Sequence, residues 1–244
     1  MATHIKKPAP RDGAAYRQSI RRTALDVFST YGFDATTIRQ IAAAAGMDVG
    51  HLSYYYPTKE ALWRDVLMEC SSDFEHHVES ALAAAVGRKT AAERAAIVLP
   101  SLLGFMADNP KLSRLMMQEF SIHSARHDWV VETMAKRVFL RLQPLFNDLR
   151  SEGLLVDIDP TAAYFALIAG AVAFFGSTDE FGRISGYSAP DADQNKAVIE
   201  FLCRGFLATT LTPPGKREPV EKASRGQKKR STGSAPAKTG HEVR

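Results

Sequence analysis

Apolar residues recur at intervals of three and four along most of the chain, and stretches that alternate apolar with polar are scarce, so the pattern predicts helix rather than strand. Ile20, Ala24, Val27, Phe28 and Tyr31 form the first such stripe, with Gly32 behind it as a candidate C-cap. Thr36 is placed to cap a short helix through residue 45, which Gly46 ends, and Asp48 to cap a second over residues 49–55. Thr58, with Glu60 and Ala61 behind it, starts a long helix running to about residue 86. Further helices are predicted over residues 90–108, 110–124, 128–152, 160–176 and 191–211, punctuated by Asn109-Pro110, Gly153, Asp159-Pro160 and a loop over residues 182–190. From Thr212 onward large apolar residues almost vanish and Lys, Arg, Ser, Gly and Pro take over, a composition that predicts disorder.

The stretch TTIRQIAAAAGMDVGHLSYYYPTKEAL, residues 36–62, reads as two short helices joined by a tight turn, the helix-turn-helix arrangement. Ile41 and Ala42 face inward, Ala42 being small enough for close helix contact, while Met47 and Leu52 plug the angle between the helices. Helical spacing of about 100° per residue sends Tyr54, Tyr55 and Tyr56 in three directions, so at least one ring is exposed.

Charge sharpens this picture. The net charge of +4 divides into +3 for residues 1–63, −5 for 64–211 and +6 for 212–244, so only the ends suit a polyanion. Cys70 and Cys203 stand far apart and away from other ligand-type clusters, which implies free thiols and a reducing, cytoplasmic setting. No secretion signal is expected at the N-terminus, and the most apolar run, residues 162–176, is shorter than a membrane span and reads as a buried helix.

The segment ALDVFSTYGFDATTIRQIAAAAGMDVGHLSYYYPTKEAL carries, at fixed spacing, the order A…F…GF…TT…IA…AG…G…L…Y…KE.L, and it resembles the TetR family of transcriptional regulators from Ile20 to about Leu67. Beyond Leu67 the resemblance is architectural only. Two positions depart from the pattern: Ser53 stands where a tyrosine is usual, and Tyr56 where a core phenylalanine is usual. The resemblance implies that Thr37 and Arg39 on the bracing helix, Val49, Gly50, His51 and Ser53 on the recognition helix, and Tyr54, Tyr55 and Lys59 at its end meet DNA. The residue types agree. Arg39 can reach guanine O6 and N7 or a phosphate, Gly50 allows close approach, and Tyr54, Tyr55 and Lys59 suit phosphates, the last beside a helix N-terminus.

Other constellations carry less chemistry. Glu119, His123 and His127 are spaced by four, as metal ligands can be, but residues 124–128 look like a helix end that would throw His127 off the shared face. His76-His77 with Asp73 is weaker still, and no nucleophile elbow, P-loop or dinucleotide fingerprint is present, so neither an enzyme, a cofactor nor a metal is expected. Phe105, Met106, Met116, Met117, Phe120, Trp129, Phe174 and Phe175 could be plain core or the wall of a ligand pocket.

The expected architecture is all-α: a flexible arm over 1–15, a three-helix helix-turn-helix DNA-binding domain over 16–63, a larger helical ligand-binding and dimerisation domain over 64–211, and a basic tail over 212–244. The function this implies is a homodimeric repressor on a pseudo-palindromic operator in double-stranded DNA, released by a small apolar or amphipathic effector, with no membrane partner. The resemblance places the effector among Phe105, Met106, Met117, Phe120, His123, Trp129 and Phe174, and the dimer interface on the last two helices, through Ile168, Val172, Phe175, Val198, Leu202 and Phe206. The competing readings are a DNA-binding adaptor without a small-molecule ligand and a helical enzyme assisted by a metal at Glu119 and His123.

Overall fold

The structure, a computed structural model, describes residues 13–155, 158–186 and 190–207, with side chains as far as residue 205, and every regular element among them is helical. The basic tail and nearly all of the arm lie outside the described residues, and residues 13–15 already belong to the first helix. In chain order the elements are α1 (Gly13–Ala35), α2 (Ile38–Ala44), α3 (Val49–Tyr55), α4 (Lys59–Ala84), α5 (Ala91–Asp108), α6 (Pro110–Phe120), α7 (Ala125–Val130), a π-helical turn (Val131–Ala135), α8 (Lys136–Ser151), α9 (Pro160–Gly176), α10 (Thr178–Ser185) and α11 (Ala192–Leu207).

Side-chain caps set most of the starts. Asp48 accepts from the His51 amide, Thr58 from Ala61, and Asp159 from Thr161 and Ala162, each supplying a partner to an amide that the helix leaves open. The cap of α2 is Thr37, not Thr36. The Thr36 hydroxyl turns back to donate to the Gly32 carbonyl at 2.6 Å and is buried, which leaves Thr37 to form a reciprocal capping box with Gln40. Ser124 also departs from expectation: it caps α7 through the His127 amide, so residues 124–128 begin a helix, and α6 stops at Phe120. The span predicted as one helix over 128–152 is α7, the π turn and α8 in succession, and α10 lies partly in what reads as a loop.

Ile20, Phe28, Ile41, Leu52, Leu62 and Trp63 are sealed from solvent and hold α1, α2, α3 and the start of α4 together as a head. Each such side chain stabilises the fold by about 1.5–3 kcal/mol over an exposed one. Helix α6 lies between the head and the rest. On one side Lys111 pairs with Asp26 of α1 at 2.5 Å and the Gln118 amide donates to the Ser29 carbonyl at 3.1 Å. On the other, α6 crosses α9 so closely at Gly176 that a Cβ there would stand 3.0 Å from the Arg114 backbone nitrogen. A side chain there would have to push the two helices apart by a few tenths of an ångström. Among the described residues no single helix is long and apolar enough to cross a membrane, and α9 buries Ala163, Leu167, Ala171 and Phe175 inside the body.

Candidate nucleic-acid interface and effector cavity

The corner between α2 and α3 is set by Gly46, whose φ of 65° is disfavoured for a side chain with a Cβ. The Met47 amide donates back to the Ala42 carbonyl at 3.0 Å, closing the turn, and Ile41, Ala42 and Leu52 are buried beneath it. The opposite side of the pair is open. Thr37, Arg39, Val49, Gly50, His51, Ser53 and Tyr54 are all exposed, Tyr54 to 81%.

The three tyrosines separate as their spacing requires. Tyr55 is half-buried, its ring 5.3 Å from Tyr16 and 5.6 Å from His51, so it supports the exposed face from behind. Tyr56 is buried, and its hydroxyl donates to Asp65 Oδ2 at 2.6 Å. The same carboxylate accepts from Arg21, which also holds Glu69 at 2.6 Å. A phenol thus fits a core position because Asp65 satisfies its oxygen; burial, together with that carboxylate, pushes the Tyr56 hydroxyl up to about 12.

The Lys59 ammonium is engaged within the protein. It donates to the carbonyls of Phe33 and Thr36, both at 2.7 Å, and reaches that of Asp34 at 3.5 Å, while lying 4.3 Å from the centre of the Phe33 ring. Three donors meet three carbonyls at the end of α1, so the side chain ties α4 to the loop before α2.

In the body, α6, the π turn, α8 and α9 enclose an open cavity of about 680 Å³ lined by Met117, Phe120, Phe139, Tyr164, Phe165 and Ile168, with Ser121, His127 and Lys136 as polar members of its wall. A smaller hollow of about 80 Å³ lies against it, sharing Phe120, Ala135, Tyr164, Ile168 and Val172 and adding Phe105, Met106, Phe74 and Cys70. Phe105, Met106, Met117 and Phe120 are therefore wall residues of these two cavities, which three other candidates do not line. Trp129 packs on Trp63 with ring centres 5.4 Å apart, Phe174 packs on Phe175 and Phe181, and the His123 ring rests on His127 at 4.9 Å. The start of α7 at Ala125 is what turns His127, rather than His123, into the wall. The π turn supplies Val131 and Ala135 to the cavity, as extra-residue turns at binding sites often do. Glu119, His123 and His127 do not converge as ligands: the Glu119 carboxylate faces Arg126, and His127 Nδ1 lies 3.2 Å from the Glu119 carbonyl. Both cysteines are free.

The dimer candidates divide by their burial. Phe175 is buried at 1% exposure inside the protomer, and Val172 and Ile168 line the cavities. Leu202 packs toward Gly170 of α9, Val198 is half-buried, and the Phe206 side chain lies outside the described residues. The outward apolar residues of these helices are Phe165, at 60% exposure and also a wall residue of the larger cavity, and Phe201, at 74%.

Residues 20–66 match the family described as bacterial regulatory proteins, tetR family. The head is a TetR-family head. RutR, an HTH-type transcriptional regulator of Escherichia coli K12, is 45% identical over 56 residues, which are 23% of this chain and 26% of RutR. YttP of Bacillus subtilis, a probable HTH-type transcriptional regulator, is 26% identical over 108 residues, 44% of this chain and 52% of YttP. The matched part thus spans between about a quarter and a half of these relatives. Over the larger span the likeness is one of fold: FadR of Bacillus halodurans, a fatty acid degradation regulator, superposes with a TM-score of 0.61 at 16% identity, over 84% of this chain and 99% of that one. FadR of Bacillus subtilis, solved with stearoyl-CoA, gives 0.59 at 14% identity over 78% and 97%.

The TetR-family head is fastened to the cavity-bearing body through Arg126. Its guanidinium lies 4.2 Å from the centre of the Phe33 ring, on which Lys59 also sits, and pairs with Asp34 at 3.0 Å and with the buried Glu119 at 3.4 Å. Burial raises the Glu119 carboxyl above its ordinary value against the pull of Arg126. The fastening residues alternate with wall residues along the chain: Glu119 precedes Phe120 of both cavities, and Arg126 precedes His127 of the larger one. Nothing in the sequence pattern marks Arg126, because its partners come from α1 and α6.

Proposed function

We propose that this chain is a cytoplasmic transcriptional regulator that binds a pseudo-palindromic DNA operator as a homodimer, represses there, and is released when an amphipathic ligand occupies the body. The observation that carries the reading is the exposed face of α3, held at a fixed angle to α2 by the Gly46 corner, with Arg39, His51 and Tyr54 turned to solvent. A helix so presented fits the major groove, and one such helix reads few base pairs, so two copies on a two-fold axis are needed for specificity. The outward apolar residue Phe201 of α11 supplies surface for that pairing.

The cavity supports a ligand whose apolar part lies against Phe120, Phe139 and Ile168 and whose polar end meets Ser121, His127 or Lys136. The stearoyl-CoA held by the Bacillus subtilis FadR is a molecule of that kind, a long apolar chain with a polar head. A ligand that displaces Phe120 and His127 also shifts Glu119 and Arg126, their neighbours in sequence, and so changes how the head is held.

Selection of bound fragments from random duplex DNA tests the reading together with the solution mass. Enrichment of two half-sites related by a two-fold axis, bound by a dimer that Phe201→Asp converts to a non-binding monomer, is the outcome expected. Equal affinity for selected and scrambled DNA overturns it.

A further inference from the structure

We propose that Tyr16 fixes the proton of His51 on Nε2, the ring nitrogen away from the Tyr16 hydroxyl, and is thereby a specificity-positioning residue of the head. Tyr16 lies near the start of α1, outside the segment that matches the family. Its hydroxyl oxygen stands 3.3 Å from Nδ1 of His51, and the two rings stack with centres 5.2 Å apart and planes 27° from parallel. Tyr55 closes on both rings, at 5.3 Å and 5.6 Å, and the His51 backbone is pinned by the Asp48 carboxylate at 2.8 Å. The imidazole of an exposed residue on the second helix of the corner is therefore held in place from its own helix and from α1.

A neutral imidazole carries one N–H, and what each nitrogen meets decides which. The only other polar neighbour of the Tyr16 hydroxyl among its bonds in the described residues is Met47 Sδ at 4.0 Å, and a thioether is a weak acceptor. The hydroxyl proton goes to Nδ1, so the histidine proton sits on Nε2. The nitrogen opposite Tyr16 is then a donor. In the major groove a donor matches guanine O6 or N7, adenine N7 or thymine O4, and is rejected by the amino groups of cytosine and adenine. Without the Tyr16 hydroxyl both tautomers populate and the position tolerates either kind of edge. The role rests on the DNA-binding reading, whereas the tautomer itself does not.

Two measurements separate them. At about pH 8, above the ordinary imidazole range, ¹⁵N spectra of the full chain should show His51, assigned by its loss in His51→Gln, as the Nε2–H form, and as a mixture in Tyr16→Phe. The phenylalanine keeps the ring stack, and an unchanged melting temperature confirms that the variant is folded. In selections from random DNA, Tyr16→Phe should relax one base position per half-site by about two- to tenfold while binding to unselected DNA is unchanged. In the His51→Gln background, where an amide supplies a donor without a tautomer, adding Tyr16→Phe should change nothing. An unaltered His51 tautomer in Tyr16→Phe, or an unaltered base preference, overturns the proposal while leaving the DNA reading in place. A tautomer change in Tyr16→Phe, together with a wild-type protein that prefers no sequence, overturns the DNA reading and the specificity role with it.

Discussion

Phe28, Ile41, Leu52 and Trp63 of the head are sealed from solvent, and the corner they support has its amides tied by Thr37, Asp48 and Thr58. In the body, by contrast, Phe120, Phe139, Tyr164 and Ile168 stand around about 680 Å³ of open space, beside a turn that has abandoned α-helical geometry. The difference matches what the proposed function asks of each part. A surface that reads base edges must hold its side chains within fractions of an ångström, so it is closed and capped throughout. A receiver for a ligand must leave contacts unmade until the ligand arrives, and unmade dispersion contacts cost stability.

The sharpest way to break that contrast is to open a void in the head. Leu52→Ala removes a fully buried side chain from the corner and should destabilise the protein by about 2–5 kcal/mol in urea melts. A loss under about 1 kcal/mol would mean that the corner relaxes freely, unlike a rigid reader. Next in size is Lys59→Met. Freeing the carbonyls of Phe33 and Thr36 should cost about 1–3 kcal/mol while the salt slope of DNA binding stays constant. A slope that falls by about one unit would instead return Lys59 to the phosphates. Enlarging side chains separates the two parts further. Ala42→Leu at the corner should cost about 1–3 kcal/mol, whereas Met117→Trp, whose ring can enter the cavity, should cost under about 1 kcal/mol. Equal penalties would show the cavity to be tighter than its volume.

The smallest effect concerns the junction. Because the carboxyl of Glu119 is raised by burial, the native protein binds more protons than the unfolded chain between the ordinary and the raised value, so its stability falls as pH rises through that window. Glu119→Gln should flatten that part of the curve in urea melts run from about pH 4 to about pH 8. Parallel curves for the two proteins would place the titration elsewhere.

The head was legible because its signals are local. Gly46 marks the turn, Asp48 and Thr58 are caps read from their neighbours, and the spacing of three tyrosines forces one outward. Two features of the head were hidden: the Thr36 hydroxyl bonds locally to the Gly32 carbonyl four residues back, which passes the cap to Thr37, and Lys59 meets carbonyls that face it only once α1 and α4 have packed. The body offered less. Helix α9 is apolar nearly all round, so periodicity could not decide that Phe175 faces in and Phe165 out. His127 replaced His123 in the cavity wall because Ser124 starts a helix where the residues look like an ending, and the π turn has no sequence mark at all.

The central claim, that occupation of the body controls the head, is tested most directly by screening apolar and amphipathic compounds for two effects in one experiment. A ligand that prefers one conformation must raise the melting temperature and lower operator affinity together, since both report the same equilibrium. The account predicts compounds that do both in the wild-type protein and neither in Met117→Trp. Compounds that stabilise the wild type through this cavity, yet leave operator affinity unchanged, would contradict it.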